Sequence, residues 1–304
     1  MSSGEPSWEL YGTFLAVMRE GSLSGASRAL ALAQPTVRRR IEALEEALGV
    51  VLFTRATNGL VPTDAAIGTL PHAEAMASSA HALVRTLSGP ADSVRGTVRI
   101  TASEIIGTEV LPRLLAPLLA THAQLQLELA VTNRAEDLLR RDADVAIRMV
   151  APTQAALIAR RAATIPVGLY ASEAYVAVRG VPRKVAELRD HALVGQDTGR
   201  TTIDALAALG IATTRRDYAV RTESDVAQLA AVRAGLGIGV CQVPLATGLV
   251  RVLPKVTVPL DAWVVMHEDL RTQRRVRTVF DHLVGALAAY ARPPERARRS
   301  EESA

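Results

Sequence analysis

Three consecutive arginines, Arg38, Arg39 and Arg40, follow Gln34-Pro35-Thr36. Their guanidinium groups could grip phosphate oxygens or guanine edges through paired hydrogen bonds. Such a cluster reads nothing unless a rigid element aims it, and the sequence supplies one. Pro35 can occupy the first turn of a helix, where its missing N–H costs no hydrogen bond. Val37, Ile41, Leu44 and Leu48 then recur at spacings of 4, 3 and 4, a narrow apolar stripe. At about 100° per residue Arg39 points away from that stripe, and Arg38 and Arg40 flank it. A short helix packed on one side and basic on the other suits the major groove of DNA. The ordinary alternative is a solvated basic face, and the neighbouring elements decide against it.

Trp8 to Arg19 reads as a first helix, with Leu10, Phe14, Leu15 and Met18 on one side. Gly21 can take the left-handed C′ position, and Ser22 or Ser24 can cap a second helix whose inner face is Ala26, Ala29 and Leu30. Ala33-Gln34 turns into the arginine helix, which Gly49 ends. Val50 to Phe53 and Leu60-Val61 read as short strands joined by an Asn58-Gly59 turn. The pattern is a winged helix-turn-helix. Arg55 sits at the base of the wing, suited to a phosphate or to plain solvation. Pro62-Thr63-Asp64 opens a long helix that Ser88-Gly89-Pro90 stops. Its alanine-rich seam, with Ile67, Leu70, Met76, Leu83, Val84 and Leu87, suits the same helix of a second copy better than solitary existence.

Beyond Arg95 helices and strands alternate. Thr97 to Thr101, Leu125 to Val131, Val145 to Arg148, Ala163 to Ala171 and Leu193-Val194 read as strands, as do Gly237 to Val240, Val256 to Val258 and Trp263 to Met266. Between them lie helices at Gly107 to Ala120, Leu138 to Arg140, Ser172 to Val178 and Asp225 to Ala234, and Arg271 to Tyr290 closes the series. The alternation implies α/β architecture with a largely parallel sheet. The charged tail after Arg292 reads as frayed.

The totals agree. A chain of 304 residues, 49% hydrophobic and 22% charged, can bury the cores of two or three domains. No apolar run approaches the ~18 residues of a membrane span. The opening MSSGEPSWEL lacks the basic and apolar regions of a signal peptide, and Cys241 is the only cysteine, so the reading is cytoplasmic. Net charge is only +4, and residues 1–62 balance six arginines against six glutamates. The local cluster therefore carries the case for nucleic acid, not bulk charge.

The stretch from Trp8 to Thr63 resembles the LysR-type transcriptional regulators. The likeness is carried by FLAVMREGSLSGASRAL, AQPTV, RIEALEEALGVVLFTR and PTDAA, and further on by GTVRITASEIIG, DADVAIRM and VRAGLGIGV in the family's order. The resemblance implies a winged helix-turn-helix at 1–63 and a dimerising linker helix at 64–90. A periplasmic-binding-protein-like effector domain would follow at 91–292, with subdomain I near 91–163 and 264–292 and subdomain II near 164–263, and a flexible tail at 293–304. It implies Gln34, Pro35, Thr36, Arg38, Arg39 and Arg40 as DNA contacts. Gln34 suits adenine, arginine suits guanine and the Thr36 methyl suits thymine, while Arg40 and Arg55 suit phosphates. Ala33 and Arg38 depart from serines common in the family, and Asn58-Gly59 replaces a basic wing residue, so the operator need not be the family's usual one.

The implied cleft binds its effector at strand ends and helix N-termini. Ser103 is the leading contact there, followed by Thr132, Arg148, Thr198, Thr201, Thr202 and Thr222. The effector's identity is not legible. Implied partners are double-stranded DNA, a small-molecule effector, further copies of the chain as dimer or tetramer and, for an activator, RNA polymerase; no membrane, metal or cofactor is implied. An enzyme fits poorly. Gly235 to Gly239 precedes a strand where a nucleotide loop must follow one, and the six histidines lack metal-ligand spacing. A solute-binding protein without a regulatory role is the other alternative. On the DNA reading, Arg39→Ala should cost ~1–3 kcal/mol per lost base contact. A gel-shift titration with unchanged operator affinity and selectivity would refute that role.

Overall fold

The computed structural model describes residues 5–56, 59–133, 143–198, 204, 206–207 and 210–292. The expectations for Asn58, Leu138 to Arg140, Thr201, Thr202 and the 293–304 tail lie outside them. The chain forms two compact units, one running through Thr86 and the other starting at Leu87.

In the first unit α1 (Trp8–Glu20) ends at Gly21, which adopts φ 66° and donates its N–H to Val17 O. Ser22 then caps α2 (Leu23–Leu30) by accepting Gly25 N at 3.1 Å. The third helix, α3 (Gln34–Leu48), carries Pro35 in its first turn and stops at left-handed Gly49. Phe14, Val17, Ala26, Val37, Ile41, Leu44 and Leu52 form the buried core that clamps the three helices. The wing pairs β1 (Phe53–Ala56) with β2 (Gly59–Pro62) antiparallel. Its first strand begins later than expected because the preceding amides are already used. Val50 N closes α3 on Glu45 O, and the Glu45 carboxylate accepts Leu52 N and Phe53 N at 2.7 and 3.1 Å. Thr63 caps α4 (Asp64–Thr86), accepting Ala66 N at 3.2 Å. Ala66 and Ala73 join the core, while Ile67, Met76, Leu83 and Val84 are exposed.

The second unit is built on a six-stranded sheet in the order β4-β3-β5-β10-β6-β9. Its members are β3 (Gly96–Ala102), β4 (Leu125–Val131), β5 (Val145–Arg148), β6 (Leu157–Ser172), β9 (Gly239–Gln242) and β10 (Leu249–His267). Only the β3–β4 and β3–β5 pairings are parallel, so the sheet is mixed, not largely parallel as expected. The expected separate strands at Val256 and Trp263 belong to one long β10, antiparallel to β6 from Leu249↔Ser172 to His267↔Leu157. Pro254 and Pro259 lie within it. The register shifts between Val252 and Thr257 absorb the first, with Leu253 at φ 47°. Pro259 lies opposite Pro166. Two facing prolines donate nothing to each other, so they suit a non-hydrogen-bonded pair whose nitrogens face outward. Neither outer neighbour pairs at that level, since β5 meets β10 only at Trp263–Met266 and β9 meets β6 only from Val167.

A π-helical turn (Ile106–Val110) runs into α5 (Leu111–Thr121), and α6 (Glu173–Arg179) follows β6. A small parallel pair, β7 (Leu193–Gly195) and β8 (Tyr218–Arg221), precedes α7 (Asp225–Arg233). The closing α8 (Arg274–Tyr290) lays Val276, Val279, Phe280, Leu283 and Leu287 into one core with Val98, Ile100, Ile147, Val264 and Met266. Its first turn also holds the start of the unit. Arg275, 1% exposed, donates to Gly89 O at 3.1 Å, and Arg274 N donates to Ala91 O at 2.7 Å. Burial lowers the Arg275 pKa, and the nearby Asp144 carboxylate opposes that shift. No helix among the described residues is long and apolar enough to cross a membrane.

The Glu45 carboxylate ties the end of α3 to the amides entering the wing. Glu45→Ala should therefore destabilise the first unit by about 1–3 kcal/mol, and Glu45→Gln, which keeps one oxygen acceptor, by less. Urea unfolding with indistinguishable midpoints for the three proteins would contradict this.

Candidate functional site

The arginine helix presents what its periodicity predicts, with one reassignment. Gln34, Pro35, Arg38 and Arg39 are exposed, and Thr36 is half-buried. Val37, Ile41 and Leu44 are buried beneath them, so the exposed face sits on a packed base. Arg40 instead turns to α1, where its Nη2 lies 2.7 Å from Glu9 Oε2. Its charge is met within the protein before any phosphate arrives. No sequence spacing links positions 9 and 40, and only the packing of α1 on α3 brings them together. Arg55 is exposed on β1.

A second site is built at the carboxyl end of β3. This strand has parallel neighbours on both sides, and such a reversal of strand order opens a crevice beyond the strand ends. Ser103 directly follows β3, and its Oγ is buried with no hydrogen-bond partner among the described residues. Thr132 follows β4 and donates its N–H to Ala102 O. Arg148 ends β5, adjacent to β3 by register, and its Nη1 donates to Ile147 O at 3.1 Å. From the other side Ser224 caps α7 and donates its hydroxyl to Glu104 Oε1 at 2.8 Å. Thr222 Oγ1 accepts Ser224 N at 3.2 Å, and Thr198 donates both N–H and hydroxyl to Glu223 Oε1. Ser224 thus ties the Thr222 turn to Glu104, the residue after Ser103, and several of these hydroxyls serve as caps or turn bonds.

Sequence reasoning missed the acids among these hydroxyls. Glu104 N donates to Asn133 Oδ1 at 2.9 Å, and the Asn133 side chain also bonds the Asp225 carboxylate. Burial raises the Asp225 pKa, the Glu104 and Glu223 charges raise it further, and the Asn133 bond opposes them. Asp225 was legible as the acidic first turn of a helix. Its proximity to Glu104 was not, because the two lie far apart in the chain. Arg233 of α7 also pairs with Glu109 at 3.0 Å.

Chemistry at the remaining reactive groups is subdued. Cys241 lies buried in β9, and burial pushes its thiol up to about 12, which leaves little thiolate for attack. Among the described residues no group of three or more His, Cys, Asp or Glu side chains could hold a metal ion.

Two predictions follow from these charges. Glu9→Gln releases Arg40 toward a phosphate, so the salt dependence of non-specific duplex binding should steepen by about one ion; an unchanged slope would refute the pairing's role. For Asp225, the raised folded-state pKa means that the folded chain holds a proton the unfolded chain has released. Stability should then fall as pH rises from the ordinary carboxylate range through the raised value. Asp225→Asn should flatten that fall in thermal melts at stepped pH, and a wild-type-like profile would contradict it.

The family described as "Bacterial regulatory helix-turn-helix protein, lysR family" matches residues 8–67, and "LysR substrate binding domain" matches 91–288. The HTH-type transcriptional regulator PgrR of Escherichia coli (strain K12) is 28% identical over 179 residues, 59% of this chain and 60% of its own length. DmlR of the same organism, also an HTH-type transcriptional regulator, is 27% identical over 282 residues, covering 89% of this chain and 91% of DmlR. The chain therefore spans less than two thirds of PgrR but nearly all of DmlR. The crystal structure of full-length CbnR complexed with its target DNA shares the fold, with a TM-score of 0.67 at 20% identity over 92% of this chain and 99% of CbnR. The chain belongs to the LysR family of transcriptional regulators, with a helix-turn-helix DNA-binding domain and an effector-binding domain.

Proposed function

We propose that the chain is a homo-oligomeric, cytoplasmic regulator that binds operator DNA through α3 and answers to a small polar molecule at the carboxyl end of β3. The exposed Pro35, Arg38 and Arg39 face, backed by the buried Val37, Ile41 and Leu44, carries the reading. Gln34, Thr36 and Arg55 support it from the margins, and Arg40 orients α3 through Glu9. The working division is a reading head at 1–63, a pairing helix at 64–90 and a sensing domain at 91–292. Within the last, subdomain I takes about 91–163 and 264–292, and subdomain II about 164–263.

The exposed Ile67, Met76, Leu83 and Val84 of α4 suit a second copy of the same helix, and a dimer of such dimers would make a tetramer. Two heads then meet half-sites about one helical turn, or a multiple of it, apart. Ser103, Thr132, Arg148, Thr198 and Thr222 surround the effector, with Thr201 and Thr202 on the adjoining segment. Its binding draws the two sides of the crevice together and alters the spacing of the heads. As an activator the protein would also meet RNA polymerase. It performs no catalysis in this reading.

Footprinting of the DNA upstream of its own gene with the purified full-length protein tests the proposal. Paired protected half-sites are expected. The absence of any specific footprint across promoter fragments would favour a solute-binding protein without regulatory function.

A further inference from the structure

The six charged residues of α3 separate into two groups. Arg40 is occupied by Glu9, and Glu45 is occupied by the amides of Leu52 and Phe53. Arg38, Arg39, Glu42 and Glu46 are exposed, and no hydrogen bond or ion pair holds any of the four among the described residues. Arg38 and Glu42 are four apart, one turn on the same face, where an arginine and a carboxylate are within reach of each other. They stand unpaired beside Pro35 and Arg39, on the side of α3 turned away from its buried stripe. Whatever docks on this face meets two cations and then, one turn later, an acid.

A carboxylate directed at DNA is repelled by the phosphates on both rims of the groove. It is tolerated where it accepts a hydrogen bond from a base. In the major groove the amino donors are cytosine N4 and adenine N6, and cytosine N4 is the usual partner of Glu because adenine sets the N7 acceptor beside its amino group. Arginine makes the complementary choice, guanine O6 and N7. Four residues of helix advance about 6 Å, close to two base steps of about 3.4 Å.

We propose that Arg38 and Glu42 are specificity-determining residues that read a guanine and a cytosine about two base steps apart in each half-site. The inference rests on the DNA-binding role given to α3 above. Glu42 acts largely by exclusion, making sites without a cytosine amino group at that step unfavourable. Glu46, a further turn along, keeps the end of α3 clear of the backbone, so only the turns up to Glu42 enter the groove.

The test is selection of binding sites from a randomised duplex pool by the full-length protein, followed by sequencing of the bound fraction. The wild type should enrich half-sites with guanine at one column and cytosine two or three steps away. Arg38→Ala should lower the preference at the guanine column alone, on the order of tenfold to a hundredfold. Glu42→Ala should relax the cytosine column and strengthen binding to unrelated duplex. Glu42→Gln should move that column from cytosine to adenine, since the amide both donates and accepts. Both positions are exposed, and unchanged melting curves would exclude misfolding as the cause. A wild-type motif that both Glu42 variants leave unchanged would overturn the inference while preserving the DNA-binding reading. Enrichment of no sequence by the wild type would overturn both.

Discussion

The second unit depends on one pairing, the long antiparallel ladder between β6 and β10. Every other strand of its main sheet reaches the sheet through these two: β5, β3 and β4 on the β10 side and β9 on the β6 side. The ladder tolerates Pro166 and Pro259 because they face each other where neither strand has an outer neighbour, so no donor is missing. Its bulge at Val252 to Thr257 takes up Pro254 in the same spirit. The position of the carboxyl end of β3 is a consequence of this arrangement. With β10 fixed, β5 brings β3 alongside, and the carboxyl end of β3 opens where the chain departs in both directions.

Burial decides the rest of the scaffold and then sorts the charges. In the first unit the apolar stripe of α3 can pack on Phe14 and Ala26 in only one rotation, which sets which arginines face outward. Arg40 and Glu45 fall near enough to α1 and the wing to be taken up by them. The residues left over are those farthest from the stripe. An exposed charged face therefore emerges without being separately specified, since the surface is what the core could not use. At the start of the second unit the opposite holds. Arg275 is drawn inside, where the Gly89 carbonyl and the Asp144 charge offset part of its desolvation.

The crevice shows how local grammar conceals function. Ser224 is a helix cap, Thr222 a turn hydroxyl and Asp225 an acidic first-turn residue, each sufficiently explained by its own neighbours. Folding places Glu104 against Ser224 and near Asp225, and burial together with the Glu104 and Glu223 charges then raises the Asp225 pKa. The buried Ser103 Oγ sits at the same strand end. Acids stand among the hydroxyls at these strand ends, which the hydroxyl pattern alone did not signal.

What the sequence determined by itself is everything set within one or two helical turns or by strand alternation. It placed Gly21 as a left-handed stop, Gly49 as the end of α3, a cap at Ser22 or Ser24, a helix start at Pro62-Thr63-Asp64, the outward direction of Arg39, and the extents of β4 and β5 to the residue. Local sterics and capping bonds act over a few residues, so they are written in order along the chain. It missed the mixed sheet and the continuity of β10, because a proline reads as a break until its partner strand is known. It also missed the pairing of Arg40 with Glu9 and of Ser224 with Glu104, which span 31 and 120 residues. Such contacts have no spacing to betray them. They exist only once burial has chosen which faces meet, and that choice is made by the whole core at once.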